Sequence, residues 1–279
     1  FTLRDDDVGS TGPAGVGTVD GTSSLRIWLD AQDLAVGDGN PVSTWSDGSG
    51  YGNDATQSTG SNQPIYDADA LTSGDPAVAF DGTDDVLRFP DRSYYENLDG
   101  RDLTAYVVAE IEQSVSQNGG VLSNYIGDSP SPDQAWGLFV DEGDSLRVFL
   151  RRDDNSETLS EASVSVPQGA TKLVGIRKKG TTIQGLEGGT QVASGTLSRE
   201  GTTENTNYQL GLGRHFARSL QYDVAEVVLF TSALNTTNRT LIANYLAAKH
   251  SFTLDTGGGA KDVYAGDQGG NGDYDRGVF

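Results

Sequence analysis

The chain has 279 residues, 40 acidic against 19 basic side chains, a formal net charge of −21, and neither cysteine nor methionine. This balance argues against nucleic-acid binding, which needs a basic stripe to release counterions. The missing thiols exclude disulfides, thiolate metal sites and cysteine nucleophiles. No run reaches the ~18 apolar residues of a membrane-spanning helix, so no membrane insertion is expected.

Residues 1–20, FTLRDDDVGSTGPAGVGTVD, open on Phe1 and Leu3 and then turn acidic and glycine-rich, so they read as an extended N-terminal arm. Strand signals follow. Leu25–Leu29 alternates loosely, and Ala77–Phe80 and Val86–Phe89 flank a turn. Leu103, Ala105, Val107, Ala109 and Ile111 share one face of a strand, with Tyr106, Val108, Glu110 and Glu112 on the other. Leu146, Val148 and Leu150 alternate with Arg147, Phe149 and Arg151. Segments 172–177, 181–186, 208–213 and 224–230 complete the series.

Short strands at even spacing, punctuated by Gly, Asp and Asn, predict an all-β, two-sheet antiparallel jelly-roll sandwich over 21–252. One amphipathic helix follows the strands. Leu241, Ile242, Tyr245 and Leu246 form its stripe, Asn235 or Thr237 caps it, and Lys249 and His250 sit near its C-terminal dipole. Residues 253–279 read as a Gly/Asp-rich C-terminal arm.

The segments LRIWLDAQDL, VSTWSDGSGYGNDATQ, PAVAFDGTDDVLRF and YDVAEVVLFTSALNTTNRTLIANYLAAKH, in this order, are similar to the concanavalin A-like lectin/glucanase superfamily. Within it they resemble the laminin G-like, pentraxin-like bacterial surface modules, over about residues 22–252. The resemblance implies a jelly roll in an extracellular setting that binds glycans or proteins, commonly with calcium. An extracellular location also fits the first residue, which is not Met: the chain is expected to start inside a longer gene product, after a signal peptide. The scarcity of Lys and the excess of Asp over Glu suit a halophilic, salt-screened surface.

Three functions stay open. The first is a non-enzymatic structural or adhesive module, a surface or fibre subunit that assembles with itself. Short apolar points in the arms (Phe1, Leu3, Phe252, Leu254, Val263, Tyr264) would let the arms add a strand to a neighbour, the alternative being that both arms fold back on their own domain. The second is a lectin-like module that binds surface glycans through Tyr51, Tyr94, Tyr95 and Trp136. Calcium is its candidate cofactor, held by hard oxygens of Asp47, Asn53 and Asp54 or of Asp81, Asp84 and Asp85. Asp, Asn and Gly also suit plain turns, so both clusters have a purely structural reading. The third is a polysaccharide hydrolase. Enzymes of the superfamily carry three acids on one strand, and here only Glu110 and Glu112 remain, two acids on a solvated face. The expectation is therefore that the chain is not an enzyme.

Overall fold

The computed structural model describes residues 11–112, 119–124, 135–141, 145–151, 158–165, 168–203, 209–215 and 218–254. Phe1, Leu3, Val263 and Tyr264 lie outside the described residues. In chain order the strands are β1 Leu25–Asp30, β2 Thr44–Trp45, β3 Ala55–Thr56, β4 Ile65–Asp67, β5 Ala77–Asp81, β6 Leu87–Arg88, β7 Leu103–Ile111, β8 Gly119–Ser123, β9 Ala135–Val140, β10 Ser145–Arg151, β11 Thr158–Ser165, β12 Thr171–Lys179, β13 Thr182–Glu187, β14 Thr190–Thr196, β15 Gly211–Leu212, β16 Arg214–His215, β17 Arg218–Ser219 and β18 Gln221–Phe230. The helices are α1 Ser93–Glu96 and α2 Thr236–Lys249.

The strands form the expected all-β sandwich of two antiparallel sheets. The first sheet runs β14-β13-β12-β7-β18-β5-β4. Its long strand β18 pairs β5 along Gln221–Val224 and β1 along Glu226–Phe230. The second sheet runs β11-β10-β9-β8-β15-β6-β3-β2. Between the sheets lies the main core, where Ala105, Val107, Val174, Ile176, Val227 and Leu229 of one sheet meet Trp45, Leu87, Leu122, Trp136, Leu138 and Val148 of the other. The side-chain period of two delivers this: each inward residue is followed by one that points outward.

The outer face of the first sheet is also covered. Tyr106, Val108, Leu173, Leu186, Val228 and Phe230 pack there under Ile242, Ala243 and Leu246 of α2. Hence β7 is buried at all nine positions, as in sheets sandwiched on both faces. The helix begins at its expected cap, where Asn235 Oδ1 accepts from the Asn238 amide at 2.9 Å.

The hairpin β13–β14 docks beside this helix. Its two-residue turn, Gly188-Gly189, has φ of +52° and +76°, as tight hairpin turns with two positive-φ residues require. A Cβ on Gly189 would come 2.8 Å from Ala243 Cβ and 3.0 Å from the Arg239 carbonyl oxygen. Only glycine lets the turn approach the helix so closely.

The described parts of both arms pack on their own domain. Within the first, Thr11 bridges to Thr18 around the turn Pro13–Gly15, and Val16 packs into the outer cluster. Phe252 and Leu254, expected to reach a neighbouring subunit, instead pack on the chain's own outer cluster. The cause is apolar surface left beside the C-terminal end of α2, which the next residues cover at little entropic cost because the helix already places them there.

Candidate functional site

The loop Trp45–Gln57 is a latch made of hydrogen bonds. Asp47 Oδ1 accepts from the amides of Trp28 and Ser49, each at 2.9 Å. Its Oδ2 accepts from the Ser49 hydroxyl at 2.7 Å and the Asn53 amide at 2.9 Å. Asp54 Oδ1 in turn accepts from the Asp47 amide at 2.8 Å. Asn53 is fully buried and donates Nδ2 to the Arg26 carbonyl at 2.7 Å. Asp47, Asn53 and Asp54, expected as calcium ligands, take part in these hydrogen bonds. N–H and O–H donors already point at the Asp47 oxygens, and their positive ends repel a cation that approaches from the same side.

The aromatics expected to meet sugar divide into two groups. Tyr95 and Trp136 are fully buried. Trp136 Nε1 donates to the Tyr95 carbonyl at 2.8 Å, and the Tyr95 hydroxyl donates to the Pro90 carbonyl. Both rings belong to the core, so they offer no face to a ligand. Tyr51 and Tyr94 are half-buried around Arg26, whose guanidinium carbon sits 3.9 Å and 4.9 Å from their ring centres. Their hydroxyls serve the latch: Tyr51 donates to the Ser23 carbonyl at 2.8 Å, and Tyr94 donates to Asn53 Oδ1 at 3.1 Å.

The open site lies elsewhere, on the outer face of the second sheet. Thr44, Thr56 and Arg88 stand in register across β2, β3 and β6. Their chain neighbours Trp45, Ala55 and Leu87 point into the core. With Asp54, Gln57 and Gln209 they line a cleft of about 680 Å³. Gln57 is held rigid, because its Nε2 donates to the Val86 carbonyl at 3.1 Å and its Oε1 accepts from the Thr59 amide at 3.0 Å. The cleft is thus lined by the Thr44 and Thr56 hydroxyls, the Gln209 amide, one guanidinium and one carboxylate, with Gln57 as part of a fixed floor. Nothing in the sequence singles out these residues, since they are common polar types far apart along the chain. The available signal was the alternation of Thr44, Thr56 and Arg88 with core residues.

Two acidic groupings remain. Asp81, Asp84 and Asp85 bring one oxygen each within 4.8 Å of one another. Asp81 Oδ1 accepts from the Thr83 amide at 2.7 Å, and Asp85 Oδ2 from the Asp81 amide at 2.9 Å. Burial, with the neighbouring Asp81 and Asp84 charges, pushes the Asp85 carboxyl up to about 6. The second grouping sits on the outer face of the first sheet. There Glu110 is buried, not solvated as expected. Its carboxylate accepts from the Thr72 amide at 3.0 Å, the Thr72 hydroxyl at 2.5 Å and the Thr171 hydroxyl at 2.8 Å. Asp223, its partner across β7 and β18, is pushed up to about 8 by burial and by Glu112, Asp67 and Glu110 around it.

A third polar group ties α2 to the sheet. Glu226 is buried; its Oε1 accepts from Trp28 Nε1 at 2.8 Å, and its Oε2 meets Lys249 Nζ at 2.7 Å and His250 Nε2 at 2.9 Å. Lys249 also pairs with Asp30. Burial disfavours the Glu226 charge, but the His250 hydrogen bond and the Lys249 ammonium outweigh it and hold its carboxyl below the usual range. His250, expected near the C-terminal dipole of the helix, is fully buried.

No family model matches the sequence, and no curated protein is similar to it. Among solved structures the fold is similar to a Trypanosoma rangeli sialidase, with 15% identity, a TM-score of 0.55, and 88% of this chain on 36% of that one. It is similar to the binding domain of Paraclostridial Mosquitocidal Protein 1, with 12% identity, a TM-score of 0.58, and 80% of this chain on 52% of that one. The receptor binding domain of botulinum neurotoxin D shows 10% identity, a TM-score of 0.56, and 79% coverage of this chain on 52% of that one. The chain therefore spans between about a third and about half of these neighbours' length. At such identities the likeness carries the β-sandwich fold alone.

Proposed function

We propose that the chain is a lectin-like module that binds surface glycans in an extracellular setting and does not cleave them. The observation that carries this reading is the cleft over β2, β3 and β6. Its Thr44 and Thr56 hydroxyls and its Gln209 amide both donate and accept, as a ligand rich in hydroxyls demands. The concanavalin A-like resemblance supports the same reading. So do the two toxin neighbours, whose domains are described as binding and receptor-binding. Glu110 counts against hydrolysis, because three donors fix its carboxylate as a structural anchor on the opposite sheet.

The test is a glycan array on the whole chain, followed by calorimetry on the best ligand. Thr56 is exposed on the cleft floor, so Thr56→Arg fills the cleft and leaves the core intact. Binding should fall at least about tenfold, a loss of roughly 1.4 kcal/mol, with the melting temperature unchanged. An array with no binder, or a T56R protein that binds as well as the parent, sinks the reading. Running the array with calcium and with chelator decides whether Asp81, Asp84 and Asp85 serve the same function: calcium-independent binding removes the cofactor from the proposal.

A further inference from the structure

The N-terminal end of α2 gathers positive charge. Arg239 lies in the first turn of the helix, a turn with no acidic residue. The helix dipole favours an acid there, and the chain has 40 of them. Arg177 of β12 reaches the same place. Its Nε donates to the carbonyl of Leu234, the residue before the Asn235 cap, at 3.0 Å, and its Nη1 to Gln184 Oε1 at 2.6 Å. Arg239 donates Nη1 to the Gly189 carbonyl at 3.2 Å and Nη2 to the Thr236 hydroxyl at 3.4 Å. All four acceptors are neutral, and neither guanidinium forms an ion pair among the described residues. Burial and then the Arg239 charge hold the Arg177 guanidinium below its usual range, and the weaker pull of Asp102 does not restore it.

The same place holds two buried donors with nothing to donate to. Tyr106 stands on β7 opposite Gly175 of β12, two residues from Arg177. Its side chain is fully buried in the cluster beneath α2. The Tyr106 hydroxyl and the Arg239 Nε are both buried, and neither has a hydrogen-bond partner among the described residues. Buried donors are nearly always paired, so two orphans at one point require an acceptor. Burial pushes the Tyr106 hydroxyl up, and the Arg239 and Arg177 charges pull it back, so it lies in the field of both guanidinium groups.

Water in this position would satisfy the donors and leave two like charges facing each other at the positive end of a helix. An anion satisfies the donors and offsets the charges together. Tyr106 shares its cluster with Leu234, Ile242 and Ala243, apolar neighbours that suit a compact, single-atom ion over a large oxyanion.

We propose that a chloride ion binds here, accepting from the Tyr106 hydroxyl and the Arg239 Nε and lying between the Arg177 and Arg239 guanidinium groups. The ion pins the start of α2 to β7 and β12. This is a specific action of one anion, separate from general screening of the acidic surface.

Melting temperatures of the full chain test this, with sodium gluconate exchanged stepwise for sodium chloride at constant ionic strength, so that screening is fixed. An anion that binds only the folded state raises the melting temperature as it is added, and the parent should show that rise. Tyr106→Phe, which removes only the hydroxyl, and Arg239→Gln, which removes the charge and keeps an amide donor, should both lose it. A parent without the rise overturns the proposal, as does a rise retained in either variant. Chlorine NMR on the parent gives a second reading that needs no variant. The chloride line should broaden when protein is added and narrow again with bromide, which competes for the same donors. A line that stays narrow, or a broadening that bromide leaves unchanged, also overturns the proposal.

Discussion

At the scale of single residues, Asp47 carries more of the structure than its exposed loop suggests. Its carboxylate accepts from three backbone amides and one hydroxyl, and so joins β1 to the Ser49–Asn53 turn. Leaving buried donors without an acceptor costs about 1–3 kcal/mol each, partly relieved where water can enter. Asp47→Ala is expected to lose about 3 kcal/mol in urea denaturation, and Asp47→Asn less, because one oxygen keeps its role. An alanine variant as stable as the parent would show that water replaces the carboxylate without penalty. Asp223 makes a pH prediction of the opposite sign to an ordinary carboxylate. Burial, the Glu112 charge, Asp67 and Glu110 raise it to about 8 in the fold, against ~3.9 unfolded. The folded state therefore holds a proton that the unfolded chain gives up. This stabilisation is complete below pH ~4 and is lost as pH rises through about 8. Melting temperatures measured from pH 5 to 9 should fall more for the parent than for Asp223→Asn, which cannot ionise. Parallel profiles would place the charge cost elsewhere.

At the scale of elements, α2 is joined to β18 by one buried carboxylate. Glu226 meets Trp28, Lys249 and His250 together. Removing it strands the Trp28 indole N–H and the His250 ring under the helix and leaves the Lys249 ammonium with Asp30 alone, and breaking a buried pair from one side costs about 3–5 kcal/mol. Glu226→Ala should therefore destabilise the fold by about 3 kcal/mol, while Asn235→Ala, which removes only the helix cap, should cost about 1 kcal/mol. Equal losses on denaturation would mean that the network is solvated and weak. Much of this helix was legible in the sequence, because a stripe, an N-cap and a C-terminal cation are local signals, as was the alternation in β7, β10 and β18. The partner of His250 was not legible. Glu226 faces the helix only because β18 bulges between Val224 and Glu226, and a bulge reverses the side that alternation assigns. The cleft was hidden for a related reason: Thr44, Thr56 and Arg88 meet only through strand register, which local pattern does not fix. Aromatic residues are the more conspicuous signal, yet Tyr95 and Trp136 belong to the core.

At the scale of the whole molecule, charge is the dominant feature. The excess of 40 acids over 19 bases leaves a formal net charge of −21. Several bases are committed to local pairs, such as Lys172–Glu187 at 3.2 Å, Lys178–Glu200 at 2.7 Å and Arg147–Asp141 at 2.6 Å. The remaining like charges repel across the surface, and unfolding relieves that repulsion by spreading them apart. Salt should therefore stabilise this fold. The screening length falls from about 10 Å at 0.1 M to about 3 Å at 1 M, so most of the gain should arrive within the first molar. The urea midpoint measured in sodium chloride should rise steeply to about 1 M and then level off. A midpoint that keeps rising in proportion to salt would instead report exclusion of salt from apolar surface. A midpoint that does not move would show that the acids are spaced widely enough not to interact, and the halophilic reading of the composition would fall with it.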